Sequence, residues 1–298
     1  MASLASGCAG TITVAAAGDL QLGAERTIDP LGALPRLLPG DLRLANLEGP
    51  LTDRAPRMGG LRVHGRAAQA GWLRGRFDAV ALANNHIDDC GPEGVRETLA
   101  ALREAGVAAL TAEHATLLER RGQRLALFAR SYAPDDPLRD PTLVDDVRAR
   151  ARRSMVIVSL HWGHTGLVLP SEEQRAFARK LVEAGARLVV GHGPHTPMGV
   201  EKMKGPRGEA LVAYSLGNLS FDCDCTDVED AYTIEASFDR RGELVAAKLH
   251  PLRAGLRRAV VPSNEPGLLE LLTTLSADLG TRLSREGDAL AVRVSPRD

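Results

Sequence analysis

Short apolar runs alternate with amphipathic stretches along most of the chain, which predicts an α/β fold. The runs that predict strands lie at residues 11–17, 77–83, 155–160 and 187–190. Helical spacing of apolar residues is found over 92–105 and after Ser171, where Ser171 and Gln174 are spaced as a capping box. Both helical patterns end at a glycine, as helices commonly do.

The pattern changes after residue 210, where strands follow one another without intervening helices. Three such strands are predicted at 210–216, 231–238 and 243–250. The last two are joined by a tight turn at Arg241-Gly242, which indicates a hairpin. A leucine-rich helix at about 267–279 and a strand at 289–294 complete the pattern. Residues 134–153 are expected to be exposed, with the arginines of 148–153 on a solvated face.

The chain of 298 residues shows no repeat, low-complexity tract or linker. We therefore expect one domain over 1–298, with a core of about 11–250 and the segment 262–295 packed on it.

The net charge and the composition limit the classes of binding partner and the cellular location that we expect. The formal net charge is −1, so nothing marks the surface as a whole for nucleic acid. No run approaches the roughly 20 apolar residues of a membrane span, and the opening MASLASGCAGTITV lacks the features of a signal peptide. A cytoplasmic protein is expected. Cys223 and Cys225 make an incomplete metal site by themselves, so a loop with reduced thiols is expected.

Metal-competent side chains recur where predicted strands end. Asp19, His161 and His192 each follow such a strand, as does the pair Asn85-His86. Glu48 follows the apolar run LRLA, and His195 lies three residues after His192. Loops at the carboxyl ends of strands gather at one edge of an open α/β sheet. Carboxylates, imidazoles and an amide oxygen are ligands for divalent metals, and there are enough for two ions.

Each of these residues also has an ordinary structural interpretation. Asp19 after Gly18 is compatible with a turn or a helix cap. His161 beside Trp162 is compatible with a half-buried histidine that carries no ligand. The metal hypothesis depends on five strand ends carrying such residues in order.

Six stretches follow one another in order along residues 11–250: AAAGDLQLG, NLEGPLT, LANNHIDDCG, SLHWG, GHGPHTPMGVE and YSLGNLSFD. Together they resemble the bacterial capsule-synthesis CapA (poly-γ-glutamate synthesis PgsA) family of the calcineurin-like metallophosphoesterase superfamily. The resemblance implies a four-layer α-β-β-α sandwich of two mixed β-sheets, with a dinuclear metal centre at the strand ends.

The resemblance also implies roles for individual residues. The metal ligands would be Asp19 and His195 at one ion, Asn85, His161 and His192 at the other, and Glu48 as the bridging carboxylate. His86 would be the catalytic histidine near the leaving group, and Asp89 would orient it. Weaker candidates for substrate contact are Arg62, His64 and Asn218.

Three positions depart from the family pattern. Gln21 replaces a common histidine, which would leave the first metal short of a ligand. Gly193 replaces an imidazole in the GHGPH stretch, and Cys90 stands where an aromatic side chain is frequent.

The function implied is hydrolysis of a phosphoester bond in a small-molecule or oligomeric anionic substrate. Two divalent ions (Mn, Fe or Zn) would supply a metal-bound hydroxide and stabilise the transition state. One alternative is an amide or γ-glutamyl hydrolase, or a ligase-associated protein, in poly-γ-glutamate or capsule biosynthesis. Another is a non-catalytic subunit of a polymer synthase. The sequence gives no oligomeric state.

Overall fold

Two β-sheets lie face to face in the computed structural model, which describes residues 10–136, 138–223, 228–255 and 258–294. The ten-stranded sheet contains β1 (Ile12–Gln21), β2 (Leu42–Leu47), β3 (Ala79–Ala81), β4 (Ala108–Leu110), β11 (Asn218–Phe221), β12 (Asp230–Phe238), β13 (Leu244–Arg253), β14 (Val261–Pro262), β15 (Leu283–Glu286) and β16 (Ala289–Val292). The six-stranded sheet contains β5 (Thr116–Arg120), β6 (Gln123–Ser131), β7 (Met155–His161), β8 (Ala186–His192), β9 (Val200–Gly205) and β10 (Gly208–Ala213).

Helices lie in the connections between strands. Their bounds are α1 (Leu34–Leu37), α2 (Ala70–Leu73), α3 (Gly91–Ala105), α4 (Pro141–Ala151), α5 (Glu172–Ala184) and α6 (Pro266–Asp278). The predicted capping box begins α5, since Ser171 Oγ accepts a hydrogen bond from the Gln174 amide and the Gln174 side chain accepts one from the Ser171 amide. The expected hairpin is formed by β12 and β13, which pair antiparallel.

Because side chains alternate between the two faces of each strand, the apolar side chains form three main buried clusters: one between the sheets and one on the outer face of each sheet. Val14 of β1 and Ile157 of β7 point between the sheets, where they belong to one buried cluster. Their neighbours Ala15 and Val158 point outward and pack with the helices, Ala15 in the cluster that includes Leu102 of α3 and Val158 in a second one. The order of layers is therefore helix, sheet, sheet, helix, and the predicted four-layer sandwich of two mixed sheets is confirmed.

The expectation of an exposed segment at 134–153 is confirmed for most of its described residues, including the four arginines of 148–153, but is wrong for one face of α4. Asp140 caps this helix, because its Oδ1 accepts a hydrogen bond of 2.8 Å from the Leu143 amide. Leu143, Val147 and Ala151 form a buried stripe on the six-stranded sheet. Their spacing of four residues is helical, but the surrounding prolines and charges obscured it.

The cysteines also differ from expectation. Cys223 is disulfide-bonded rather than reduced, whereas Cys90 is a buried free thiol. The partner of Cys223 and the predicted loop cysteine Cys225 lie outside the described residues. Among the helices of the described segments, none combines the length and the hydropathy that crossing a bilayer requires.

Gly18 allows a close approach of the backbone next to the predicted site. A Cβ atom added there would lie 1.9 Å from the carbonyl oxygen of Gly217, where β1 meets β11. We expect Gly18→Ala to lower the free energy of unfolding by about 3 kcal/mol, since the overpacked atom is backbone. Urea denaturation measures this loss.

Gly71→Ala is the matched control, because a Cβ atom at Gly71 in α2 would meet nothing within 4 Å. Its free energy of unfolding should stay the same or rise by up to about 1 kcal/mol. Equal stabilities of the two variants would contradict the close-approach argument.

Candidate metal centre

Four strands bring the predicted ligands to one end of the sandwich. β1 and β2 are parallel neighbours; Asp19 lies near the end of β1, and Glu48 directly follows β2. His161 and His192 are the last residues of β7 and β8, and they are paired in register. The two sheets face each other, so these four side chains meet between them, and the GHGPH loop adds His195.

The side chains approach closely. Asp19 Oδ1 lies 3.1 Å from His192 Nδ1, and Asp19 Oδ2 lies 3.1 Å from His195 Nδ1. Glu48 Oε1 lies 3.5 Å from His161 Nε2 and 3.6 Å from His195 Nε2. We call these five residues the carboxylate–histidine cluster; all five are buried.

Several polar atoms of this cluster have no hydrogen-bond partner. They are Glu48 Oε1, His161 Nε2 and His192 Nδ1, each buried. The 3.1 Å approach of His192 to Asp19 is close but poorly oriented for a hydrogen bond. Buried polar atoms without partners are uncommon in folded proteins, and an ion is one recognised explanation. Ligand atoms of Asp19, Glu48 and His195 all lie within 4.8 Å of one another, so this group could hold a metal ion.

Asn46 and Asn84 extend the cluster and were not predicted as site residues. Asn46 Nδ2 donates to Asp19 Oδ1 at 3.0 Å and to Glu48 Oε2 at 3.2 Å. Asn84 Nδ2 in turn donates to Asn46 Oδ1 at 3.1 Å. Because Asn46 lies two residues before Glu48, strand alternation puts both on one side, and this spacing was the available signal.

The two adjacent asparagines therefore differ in position. Asn84 is buried beneath the cluster, whereas Asn85 is exposed and lines a cleft that opens beside the cluster and is described below. Within the described residues, no hydrogen bond or ion pair joins the Asn85 side chain to the carboxylate–histidine cluster. A metal-ligand role for Asn85 stays a prediction.

His86 is held by a carboxylate behind it. Its Nδ1 lies 2.8 Å from Asp89 Oδ2, and Asp89 is fully buried. Asp89 also accepts hydrogen bonds from Arg62 Nη1 at 2.8 Å and from the Val63 amide at 2.7 Å. With Nδ1 directed to Asp89, Nε2 is the nitrogen of His86 left for other partners.

The weaker candidates lie in different surroundings. Asn218 is buried, and its Oδ1 lies 3.0 Å from His195 Nδ1, so it contacts a predicted ligand. Arg62 contacts Asp89 as described above. His64 is half-buried and does not line the cleft beside Asn85. Burial lowers the pKa of His64, and the Arg66 cation lowers it further.

The three departures from the family pattern have local explanations. Gln21 Oε1 accepts a hydrogen bond of 2.8 Å from the Asp222 amide. Gly193 has a φ of +101°, and a Cβ atom there would lie 3.0 to 3.3 Å from the His161 ring. Its amide instead donates to Asp19 Oδ2 at 3.1 Å. Cys90 is buried at the start of α3 and does not line the cleft.

Charges within the cluster shift two pKa values. Burial opposes ionisation of Asp19, but the contacts with His192 and His195 outweigh it and hold its pKa well below the ordinary value. Burial also disfavours a charged His195, but Glu48 and Asp19 outweigh this and raise its pKa to about 9. A proton on His195 therefore balances the carboxylates at neutral pH, and a cation would have to displace it.

We expect metal affinity to increase with pH for this reason. If one proton leaves His195 as an ion binds, the association constant rises about tenfold per pH unit below the pKa and levels off near pH 9. Titration with Mn²⁺ between pH 6.5 and 8.5, followed by calorimetry in buffers of different ionisation enthalpy, measures the slope and the proton release. An affinity that is constant over this range would contradict the assignment of His195.

A cleft of about 560 Å³ opens beside the cluster. His161 and His195 form its inner wall and His86 lies at its side, with Leu61 and Phe221 as apolar lining. We call it the central cleft. Its size suits a small molecule or the end of a longer chain.

The structure is a two-sheet α/β sandwich with a carboxylate–histidine cluster at the strand ends. This combination of fold and site agrees with the calcineurin-like class of proteins. Residues 14–223 match the family model described as "Bacterial capsule synthesis protein PGA_cap". The chain belongs to this bacterial capsule synthesis family, which confirms the resemblance seen in the sequence.

Named relatives agree with this membership. The capsule biosynthesis protein CapA of Bacillus anthracis is 25% identical over 74% of this chain and 58% of its own length. A probable polyglutamine synthesis accessory protein of Mycobacterium tuberculosis is 26% identical over 80% of this chain and 68% of its own. The chain thus spans less than two thirds of the Bacillus protein.

A solved structure supports the fold. A hypothetical protein from Thermus thermophilus superposes with a TM-score of 0.52 at 19% identity, over 85% of this chain and 100% of that one.

Proposed function

We propose that this protein is a metal-dependent hydrolase that cleaves a phosphoester bond in an anionic substrate bound in the central cleft. The observation that carries the proposal is the convergence of two buried carboxylates and three imidazoles, with unpartnered atoms, beside that cleft, which His161 and His195 line. Mixed carboxylate and imidazole ligands suit Mn, Fe or Zn. Two ions could share Glu48, whose Oε1 lies near both His161 and His195.

The ligand set would consist of the carboxylate–histidine cluster, with Asn85 from the cleft wall. Divalent cations bound there would activate a water molecule and stabilise the charge of the transition state. Asn46 holds both carboxylates by its amide group, so the acids keep their spacing before an ion arrives. Such partners of metal ligands typically affect metal affinity by about 10- to 100-fold.

His86 would act on the leaving group. Asp89 fixes its Nδ1, so Nε2 can hold a proton toward the central cleft and donate it to the departing oxygen. Arg62 and the Val63 amide hold Asp89 in turn. In this scheme Asp89 acts only through His86, so it is a positioning residue.

A second candidate is hydrolysis of an amide or γ-glutamyl bond, or a ligase-associated role, in the synthesis of a poly-glutamate capsule. The names of the relatives favour it, because they refer to capsule biosynthesis and to polyglutamine synthesis. The same activated water can attack a carbonyl carbon. The word "accessory" in one of these names favours a third role, a non-catalytic subunit of a polymer synthase.

One screen separates the three roles. Purified protein is loaded with Mn²⁺ and its metal content is measured. It is then assayed against phosphomonoesters, phosphodiesters and γ-glutamyl peptides, and for its effect on assembly of the polymer by a synthase. Turnover of a phosphoester supports the proposal. Turnover of γ-glutamyl peptides alone supports the second candidate, and protein without bound metal that still assists polymer assembly supports the third.

A further inference from the structure

A second cleft, of about 310 Å³, lies at the opposite end of the six-stranded sheet. Its lining includes Gln123 and Met155, the first residues of β6 and β7, and Arg187 near the start of β8. The cluster histidines lie at the other ends of β7 and β8. A strand of seven residues spans roughly 20 Å, so this cleft is separate from the central cleft.

Arginine dominates the lining, and we call this site the arginine cleft. Besides Arg187, six exposed arginines contribute to it: Arg124, Arg152, Arg153, Arg207, Arg240 and Arg241. No carboxylate is among the lining residues of the described chain. None of the six exposed arginines forms an ion pair with a carboxylate in the segments that the structure describes.

Arg187 is a buried cation at the base of the arginine cleft, with 2% of its side chain exposed. Its guanidinium donates to the carbonyl oxygens of Arg207 and of Glu209, the latter at 2.8 Å. Its Nη2 forms an ion pair of 3.5 Å with Oε2 of Glu243, a partly exposed carboxylate. Its Nε is buried and has no hydrogen-bond partner. Glu243 balances part of this charge, but a buried donor without a partner stays costly until an acceptor reaches it.

These arginines come from separate parts of the chain. Arg152 and Arg153 end the segment 148–153 that the sequence pattern places on a solvated face, whereas Arg240 and Arg241 lie in the turn between β12 and β13. Chain topology thus collects like charges that sequence position keeps apart. Their mutual repulsion is unfavourable, and an anion with several charges would remove it.

We propose that the arginine cleft is a second binding site, which takes a small oxyanion carrying two or more charges on carboxylate or phosphate groups. The guanidinium group matches both chemistries, because its planar fork donates two parallel hydrogen bonds to a carboxylate or a phosphate. The proposal does not depend on hydrolysis in the central cleft.

Calorimetric titration of the metal-loaded protein at low ionic strength tests the site, with inorganic phosphate in one arm and a tri-glutamate peptide in the other. We expect saturable binding in at least one arm, and a Kd at least ten times higher in the variant Arg152→Gln/Arg153→Gln. The arm that binds identifies the chemical source of the oxyanion. A second variant, Arg240→Gln/Arg241→Gln, should show the same loss.

The matched control is Arg148→Gln/Arg150→Gln, which removes two exposed arginines from α4, a few residues before Arg152 and outside the cleft lining. Any binding at the metal centre is common to all variants and cancels in the comparison. Absence of saturable binding to the wild-type protein in both arms overturns the proposal. So does a Kd that is unchanged in both cleft variants, or raised equally in the control.

Discussion

Replacing His86 with alanine should lower kcat for the substrate that the metal-loaded protein hydrolyses by roughly 10²- to 10⁴-fold. His86 contacts Asp89 and lines the central cleft, and it lies outside the carboxylate–histidine cluster. Its loss therefore removes a proton donor and leaves the metal ligands in place. Steady-state kinetics and metal analysis of the same preparation measure both consequences.

His114→Ala is the control for this substitution, because His114 is exposed and does not line the central cleft. Its kcat should equal that of the wild-type protein. Asp89→Asn should fall between the two variants, since the amide keeps the shape but loses the charge that orients His86. A His86→Ala protein that keeps full turnover would exclude His86 as the catalytic residue, and one that also loses metal would show that His86 supports the metal site instead.

Glu48→Gln should weaken divalent metal binding by at least about 100-fold. Loss of a residue that only supports a metal ligand lowers metal affinity by up to about 100-fold, and Glu48 is proposed to be a ligand itself. Glu48 Oε1 lies between His161 and His195, so the substitution removes negative charge at the centre of the cluster. Turnover at limiting Mn²⁺ should be lost with the metal. Calorimetric Mn²⁺ titration and metal content after dialysis are the measurements.

Glu235→Gln provides a matched control. Glu235 Oε2 lies 2.9 Å from His250 Nε2 in the pair of strands β12 and β13, so it is also a glutamate beside a histidine, but it does not line the central cleft. Metal content should not change in this variant. If Glu48→Gln binds Mn²⁺ as tightly as the wild-type protein, the cluster is a buried ion-pair network rather than a metal site.

Local patterns were sufficient for much of the fold. The capping box at Ser171, the glycine at 185 and the hairpin at 241–242 depend on interactions within a few residues, and the structure contains all three. The segment 134–153 is largely exposed as expected, but one buried stripe in α4 was not predicted, because neighbouring charges and prolines hide its short pattern. Such a stripe becomes visible only when a sheet covers it.

By itself, the sequence determined which residue types stand at the ends of the strands, and therefore that Asp19, Glu48, His161 and His192 could meet. Strand periodicity and the ordered motifs were enough for this, because parallel strands place their carboxyl ends at one edge. Only the tertiary structure decided which side chains contact one another. Asn46 lies between the two carboxylates, Asn84 is buried beneath them, and Asn85 is exposed in the central cleft. Contacts between the two facing sheets join residues that are more than a hundred positions apart in the sequence. No local pattern encodes such contacts. The same reason applies to the arginine cleft, where separate chain segments bring their charges together only after folding.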